Sequence, residues 1–538
     1  MMNKQLLISD LMERAERYFP KKEVVSRTAT GISHFSYEQV GERTRKLATV
    51  LKKFGIQRGQ RVATFAWNHH RHLEAYFAIP GIGAVLHTIN IRLPAEHIAY
   101  IVNHAEDEIL LVDEDLLPVI EEVKNEITRV KAFIVMADGA LPQTTLSNVY
   151  SYEQLLSEAE PLKEFNKSIN ENENAGLCYT SATTGKPKGV MYSHRGIVLH
   201  SMSLGLADSA ALSEKDIMMP VVPMFHVNAW GLPFAAVWFG TTQVMPGPQF
   251  NPALLAELID KYRITITAGV PTIWMGLLKE FEKAEYETKS LRTVLCGGSA
   301  APAAMIQTFE KDYNIPFLHA YGMTETSPLV SVSTLKSYHN EYNEEKKLSL
   351  RATQGLAVPG TEIKIIGPNG EVNWNGTDMG ELLIRGPWIA DEYYKDERTN
   401  ESFRDGWLYT GDVAVINEEG YLRLVDRTKD LVKSGGEWIS SVDLENAIMA
   451  HQEVYEAAVI AVPHPEWQER PLACVVLKDP ENNKVSKEKI IEFISPQFSK
   501  WQLPDDVIFM KEIPKTSVGK FLKRALRKDL EAHYYNFK

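Results

Sequence analysis

The chain has 538 residues, 44% apolar and 24% charged, with 33 Gly and 27 Pro. These are the proportions of a globular protein of two or three domains and exclude a largely disordered chain. Its 58 Lys and Arg against 70 Asp and Glu give a net charge of −12, which argues against a general nucleic-acid binder but allows a local pocket for a small anion.

The first 19 residues read as a charged amphipathic helix without the apolar core of an export signal. No apolar run approaches the ~18 residues of a membrane-spanning helix, so a cytoplasmic protein is expected. Ser36 to Gln39 form a capping-box start, and Val40, Leu47, Leu51 and Phe54 recur at helical spacing until Gly55. Residues 61–66 read as a buried strand, 69–79 as a helix and 109–112 as a further strand. This alternation predicts parallel sheets flanked by helices. Residues 161–175 are polar and read as a surface linker, and the charged residues 336–348 read as a solvated helix or loop. Short β-rich runs with Asn-Gly and Asp-Gly turns fill residues 353–427, and mixed α and β follow from Thr428 to a basic helix over 521–534. Cys178, Cys296 and Cys474 sit in apolar stretches with no metal-like or disulfide-scaffold spacing, which suits a reducing compartment.

The richest stretch is residues 179–189, Tyr-Thr-Ser-Ala-Thr-Thr-Gly-Lys-Pro-Lys-Gly. Hydroxyls, a glycine and two lysines suit a loop wrapped around a polyphosphate, although a solvated Ser/Thr turn would have the same composition. It is not a Walker A loop, and no Gly-x-Ser-x-Gly elbow occurs, which disfavours a P-loop kinase and a serine hydrolase.

This loop resembles the signature of the AMP-forming acyl-CoA synthetases, the adenylate-forming superfamily, with Ala182 where the usual pattern has glycine. If that position needs positive φ, alanine costs ~1–2 kcal/mol. Six further stretches match in family order: 223–230, 297–301, 321–326, 409–412 with 426–430, 434–439, and 514–520. The likeness is greatest to bacterial long-chain fatty acid–CoA ligases. It implies an α/β fold: a large N-terminal domain (1–428) of parallel and mixed sheets with flanking helices and a β-rich subdomain (about 353–427), then a small mobile α+β domain (429–538).

The resemblance also implies a chemistry and a set of roles. A fatty acid would be activated by ATP to an acyl-adenylate and passed to CoA, releasing pyrophosphate and AMP, with Mg²⁺ as cofactor. Lys520 would bridge carboxylate and phosphate. Glu325 and Thr180 would hold the metal, and Thr324 the α-phosphate. Thr180, Ser181, Thr183, Thr184, Gly185 and Lys188 would wrap the phosphates; Gly298, Ala320, Tyr321 and Gly322 would flank the adenylate. Asp412 and Arg427 would hold the ribose, with Lys429, Lys433 and Trp438 on the nucleotide side of the small domain. His226, Val227, Trp230 and Gly298 would line the acyl site, with Trp230 as a gate. Ser434, Gly435 and Gly436 would face CoA, and Lys429 would be the hinge. Taken residue by residue, several of these have plain readings: a surface Glu325, a core Tyr321, His226 or Trp230, and a hairpin turn at Asp412.

Small-molecule substrates are thus expected, with no nucleic acid, no transmembrane segment, peripheral membrane contact as an option and a homodimer as another. The alternatives are a medium-chain or aryl acid–CoA ligase, or an adenylate-fold binding protein impaired at Ala182.

Overall fold

The computed structural model describes residues 2–180, 186–435, 437–479, 485–516 and 520–530. Among these, the strands form four sheets. The first is built from Val149–Ser151, Ala132–Met136, Asp107–Asp113, Arg61–Phe65, Val85–Thr88, Asn174–Tyr179 and Gly189–Ser193, in that spatial order. Every neighbouring pair is parallel except the last, a hairpin that pairs Tyr179 with Gly189. The strands read as continuous apolar runs because both faces are covered; all seven residues of Asp107–Asp113 are buried.

A second, nine-stranded sheet runs parallel from Phe317–Gly322 through Thr293–Cys296, Ile266–Gly269, Ile217–Pro220 and Thr242–Met245 to Glu23–Arg27, with antiparallel strands at each edge. The helices Ile8–Tyr18, Tyr37–Lys53 and His70–Gly81 pack with the Leu232–Phe239 helix into a core around Tyr37, Tyr76, Phe77 and Phe234. Ser36 makes the reciprocal capping box with Gln39, as the spacing predicts.

The region read as β-rich is a six-stranded antiparallel sheet over residues 362–427. A five-stranded sheet holds Glu437–Ile439, Val432–Ser434, Gln468–Leu477, Val454–His464 and Asp506–Phe509, and Ser441–Met449 and Lys487–Ile494 pack on it. A mixed α/β body followed by a smaller α+β unit is thus the observed architecture.

Residues 336–348 form a short 3₁₀ turn, Ser337–Glu341, followed by the helix Glu344–Arg351, mostly exposed as their charge predicts. The terminal helix begins at Lys523 rather than Phe521 and runs to Asp529; residues 531–534 of the expected helix lie outside the described residues. Residues 227–230 form a left-handed turn. Val227, Asn228, Ala229 and Trp230 all have φ between 45° and 59°, and Gly231 follows at 71°. No helical periodicity predicts a left-handed turn of four L-residues, which costs ~1–2 kcal/mol per residue.

The three cysteines are free and buried, each in a different strand. No helix of the described residues is long and apolar enough to cross a membrane.

Candidate active site

The hairpin Asn174–Tyr179/Gly189–Ser193 presents the polyphosphate-like loop at the end of the first sheet. Its mouth is pinned from both sides: Thr180 N donates to Lys188 O at 2.9 Å, and Lys188 N donates to Thr180 Oγ1 at 3.2 Å. Ser181, Ala182, Thr183, Thr184 and Gly185 lie outside the described residues, as does Gly436. Lys188 is held over the Tyr393 ring, Nζ 3.8 Å from its centroid, and the Tyr393 hydroxyl donates to Glu325 Oε1 at 2.7 Å. Burial lowers the Lys188 ammonium, and Glu325 opposes that shift.

Glu325 is 5% exposed, which sets aside the reading of a surface glutamate. It sits in a 3₁₀ turn, Thr324–Thr326, directly after the strand Phe317–Gly322 that carries Ala320, Tyr321 and Gly322. Thr324 is buried, and its carbonyl accepts from the Tyr192 hydroxyl at 2.8 Å. The second sheet thereby delivers Glu325 next to the hairpin of the first. Its carboxylate and the Thr180 hydroxyl are hard oxygen donors of the kind that suit Mg²⁺ sharing phosphate oxygens.

Asp412 is no hairpin turn. It lies within the strand Trp407–Ile416, registered opposite Arg427, and is 5% exposed. Its two oxygens are separately engaged: Tyr321 OH donates to Oδ2 at 2.6 Å, and Arg427 Nε lies 3.2 Å from Oδ1. Tyr321 is at once part of an apolar cluster and a hydrogen-bond donor, which reconciles its core reading with a place in the site.

Lys520 comes into this cluster from the C-terminal unit. Its backbone pairs with Thr516, whose N donates to Lys520 O at 2.7 Å and whose Oγ1 accepts from Lys520 N at 3.1 Å; residues 517–519 lie outside the described residues. Burial and the nearby Arg427 bring the Lys520 ammonium down to about 8, against the pull of Asp412 and Glu325. Its Cε lies 3.7 Å from where a Cβ on Gly298 would stand. Gly298 itself has φ +82°, so a side chain there would be both strained and in contact with Lys520 and Val270. The Trp230 indole covers the same turn, its Cη2 3.2 Å from a Cβ position on Gly297. His226 is half-buried, with its imidazole lowered to about 3 by burial and by the Lys520 ammonium, so it is neutral at neutral pH. Val227, next to it, is buried.

The chain leading into the left-handed turn is held by the segment after the strand Arg61–Phe65 and by the helix His70–Gly81. Tyr76 OH donates to Met224 O at 2.5 Å, Asn68 Nδ2 to Pro220 O at 2.8 Å, and Met224 N to Asn68 Oδ1 at 2.7 Å. Such strain persists only where the surroundings over-determine it.

The remaining candidates are not drawn into the cluster. Lys433, Ser434, Gly435 and Trp438 lie on the hairpin of the five-stranded sheet. Their partners belong to the same unit: Lys433 N donates to Glu469 Oε2 at 2.8 Å, Arg470 Nη1 to Ser434 Oγ at 3.0 Å, and Gly435 N to Trp467 O at 2.9 Å. Gly435 has φ +59°, and a Cβ there would stand 2.7 Å from the Trp467 ring. Trp438 is 41% exposed and carries Lys433 Nζ 4.8 Å above its ring. Lys429 is exposed in the segment between the two units. Tyr393 and Tyr192 fall in no motif, and a lone tyrosine is silent until its partner is placed.

Residues 12–394 match the AMP-binding enzyme family, and residues 443–520 match the AMP-binding enzyme C-terminal domain. The chain belongs to this family, among the AMP-forming acyl-CoA synthetases. Within it, a long-chain-fatty-acid–CoA ligase of Thermus thermophilus is 49% identical over 99% of this chain and 97% of its own. A medium-chain-fatty-acid–CoA ligase of Ectopseudomonas oleovorans is 42% identical over 98% and 96%. In fold, the synthetase resembles the crystal structure of an anthranilate CoA ligase in complex with anthranoyl-AMP, with a TM-score of 0.89 at 23% identity, covering 99% of this chain and 98% of that one.

Proposed function

We propose that this synthetase is a long-chain fatty acid–CoA ligase acting in two half-reactions, with the residues grouped around Lys520 as the adenylation site. In the first half-reaction a carboxylate oxygen attacks the α-phosphorus of ATP, and the bond to pyrophosphate breaks. In the second, the CoA thiolate attacks the acyl carbon and AMP leaves. Neither step needs a covalent protein intermediate. Both need two anions held together and their charge offset.

The observation that carries this reading is that Lys520 lies against the glycine turn at Gly298 with Arg427, Asp412 and Glu325 as the charges around its desolvated ammonium. Lys520 would bridge the reacting carboxylate and the α-phosphate. Asp412 and Arg427 would take the ribose, and Tyr321 would stack on adenine, with Ala320 and Gly322 beside it. Thr180 and Lys188, with the loop they close, would hold the phosphates. Mg²⁺, bound by Glu325 with Thr180, would supply charge neutralisation on those phosphates. Neutral His226 would donate a hydrogen bond rather than charge, with Val227 and Trp230 at the acyl entrance.

We place the boundary between the units at 428/429, with Lys429 as the hinge. A rotation there would withdraw Lys520 and bring the face carrying Lys433, Ser434, Gly435 and Trp438 to the acyl-adenylate. The long-chain assignment is supported by the Thermus thermophilus relative's name and by the uncharged run 229–240 behind Trp230, since each buried CH₂ contributes ~0.8 kcal/mol. The name of the Ectopseudomonas oleovorans relative supports a medium-chain reading instead. A panel of C4 to C20 and aryl acids, assayed for pyrophosphate release with and without CoA, separates these. Highest kcat/KM at C14–C18 is expected. A maximum at C8 or on aryl acids rejects the long-chain assignment, and no acid-dependent exchange of labelled pyrophosphate into ATP rejects the function.

A further inference from the structure

A buried polar cluster joins the two units at the end of the strand that carries Arg427. Asp426, 5% exposed, is the last residue before Arg427 on the strand Leu422–Arg427. Its Oδ2 accepts from both the backbone N–H of Ser441 at 2.8 Å and the Ser441 hydroxyl. Ser441 opens the helix Ser441–Met449 of the C-terminal unit, so the carboxylate also meets the positive end of a helix. Lys523, three residues after Lys520, donates to the Ser441 hydroxyl and pairs with Glu445 Oε1 at 2.7 Å, both side chains about nine-tenths buried. Glu445 also accepts from Val459 N at 2.8 Å, which fixes it to the C-terminal sheet. Alongside, Ser440 Oγ donates to Val425 O at 2.6 Å.

We propose that Asp426, Ser441 and Lys523 form a docking lock that selects the orientation of the C-terminal unit in which Lys520 reaches the site. Asp426 and Lys523 are positioning residues for adenylation. The inference rests on the two-half-reaction reading above. Asp426 is contributed from the N-terminal side of the proposed hinge, whereas Ser441, Glu445 and Lys523 belong to the other. Rotation at 429 therefore strips Asp426 Oδ2 of both its Ser441 donors and leaves the carboxylate only the Arg427 N–H on Oδ1, while Lys523 keeps Glu445. A charge-assisted contact of this kind biases an equilibrium between two orientations by about 10- to 100-fold. The lock is also adjacent in sequence to the ribose-side pair, because Asp426 and Arg427 are neighbours and Arg427 reaches Asp412.

The test compares Asp426→Ala, Lys523→Met and Lys523→Arg in the full chain. Exchange of labelled pyrophosphate should fall about tenfold or more in the first two, with thioester formation from supplied acyl-adenylate changed less than about twofold. Lys523→Arg should recover most of the exchange. A readout independent of turnover uses spin labels at Lys289→Cys and Glu466→Cys, both exposed. With ATP present, the unsubstituted lock should give one dominant distance, and Asp426→Ala a second population. Equal loss in both half-reactions, or an unchanged distance distribution, overturns the proposal. If Lys523→Met does not fold, Ser441→Ala tests the same contact with a smaller expected shift in the same direction. A distance shift without any acid-dependent exchange would uphold the lock and reject the functional reading.

Discussion

The side chain of Lys520, from the C-terminal unit, lies against Gly298 of the N-terminal one, its Cε 3.7 Å from the place a Cβ would take. The contact ties the cation's reach to the absence of a side chain on the turn. Gly298→Val should therefore lower acid-dependent pyrophosphate exchange by about two orders of magnitude or more, since small misplacements at a positioning group are that costly. Exchange assays on the purified variant, with nucleotide binding measured in parallel, check this; wild-type exchange would contradict it.

Lys520→Ala should abolish adenylate formation while largely sparing thioester formation from supplied acyl-adenylate. Stopped-flow or quench measurements of each half-reaction decide it, and equal loss of both refutes the assigned role.

The pH dependence follows from the lysine held at about 8. Its cationic form does the bridging, so kcat/KM for ATP should be level below about 8 and fall roughly tenfold per pH unit above it. Bound phosphate favours the cation, so the kcat profile should break at higher pH than kcat/KM. Lys520→Arg should remove the alkaline limb from whatever activity remains. Profiles that break at the same pH in wild type and Lys520→Arg would assign the titration to another group.

Tyr393→Phe keeps the ring under Lys188 and removes only the donor to Glu325 Oε1. The Mg²⁺ concentration for half-maximal exchange should change several-fold with little change in the KM for the acid. An unaltered Mg²⁺ titration would separate Glu325 from the metal.

Lys429→Pro should impair thioester formation more than adenylation, because proline fixes φ where the hinge is proposed. Selective loss of adenylation would contradict the rotation.

The fold was legible wherever local chemistry decides local structure. The Ser36–Gln39 cap, the apolar runs of the first sheet and the turn-punctuated region before residue 427 all follow from short-range pattern. Glu325, Asp412 and Lys520 were legible as members of spaced motifs, but their relation was not, because residues 325, 412 and 520 meet only after four sheets have formed. Tyr393, Ser441 and Lys523 carry no motif, and Asp426 stands in one only as the neighbour of Arg427; the meaning of each depends on a partner far along the chain. The left-handed turn at 227–231 was illegible for a different reason. It runs against the intrinsic preference of its residues, and the chain just before it is held by Asn68 and Tyr76, far away in sequence.

The placement of Cys178, Cys296 and Cys474 inside strands leaves an enzyme that is proposed to handle a thiol yet offers no sulfhydryl of its own to solvent. Oxidised cofactor thus meets no partner for mixed-disulfide exchange on the native surface. Any inactivation by thiol-directed reagents must wait for local opening, and its rate becomes a clock for how often those strands breathe.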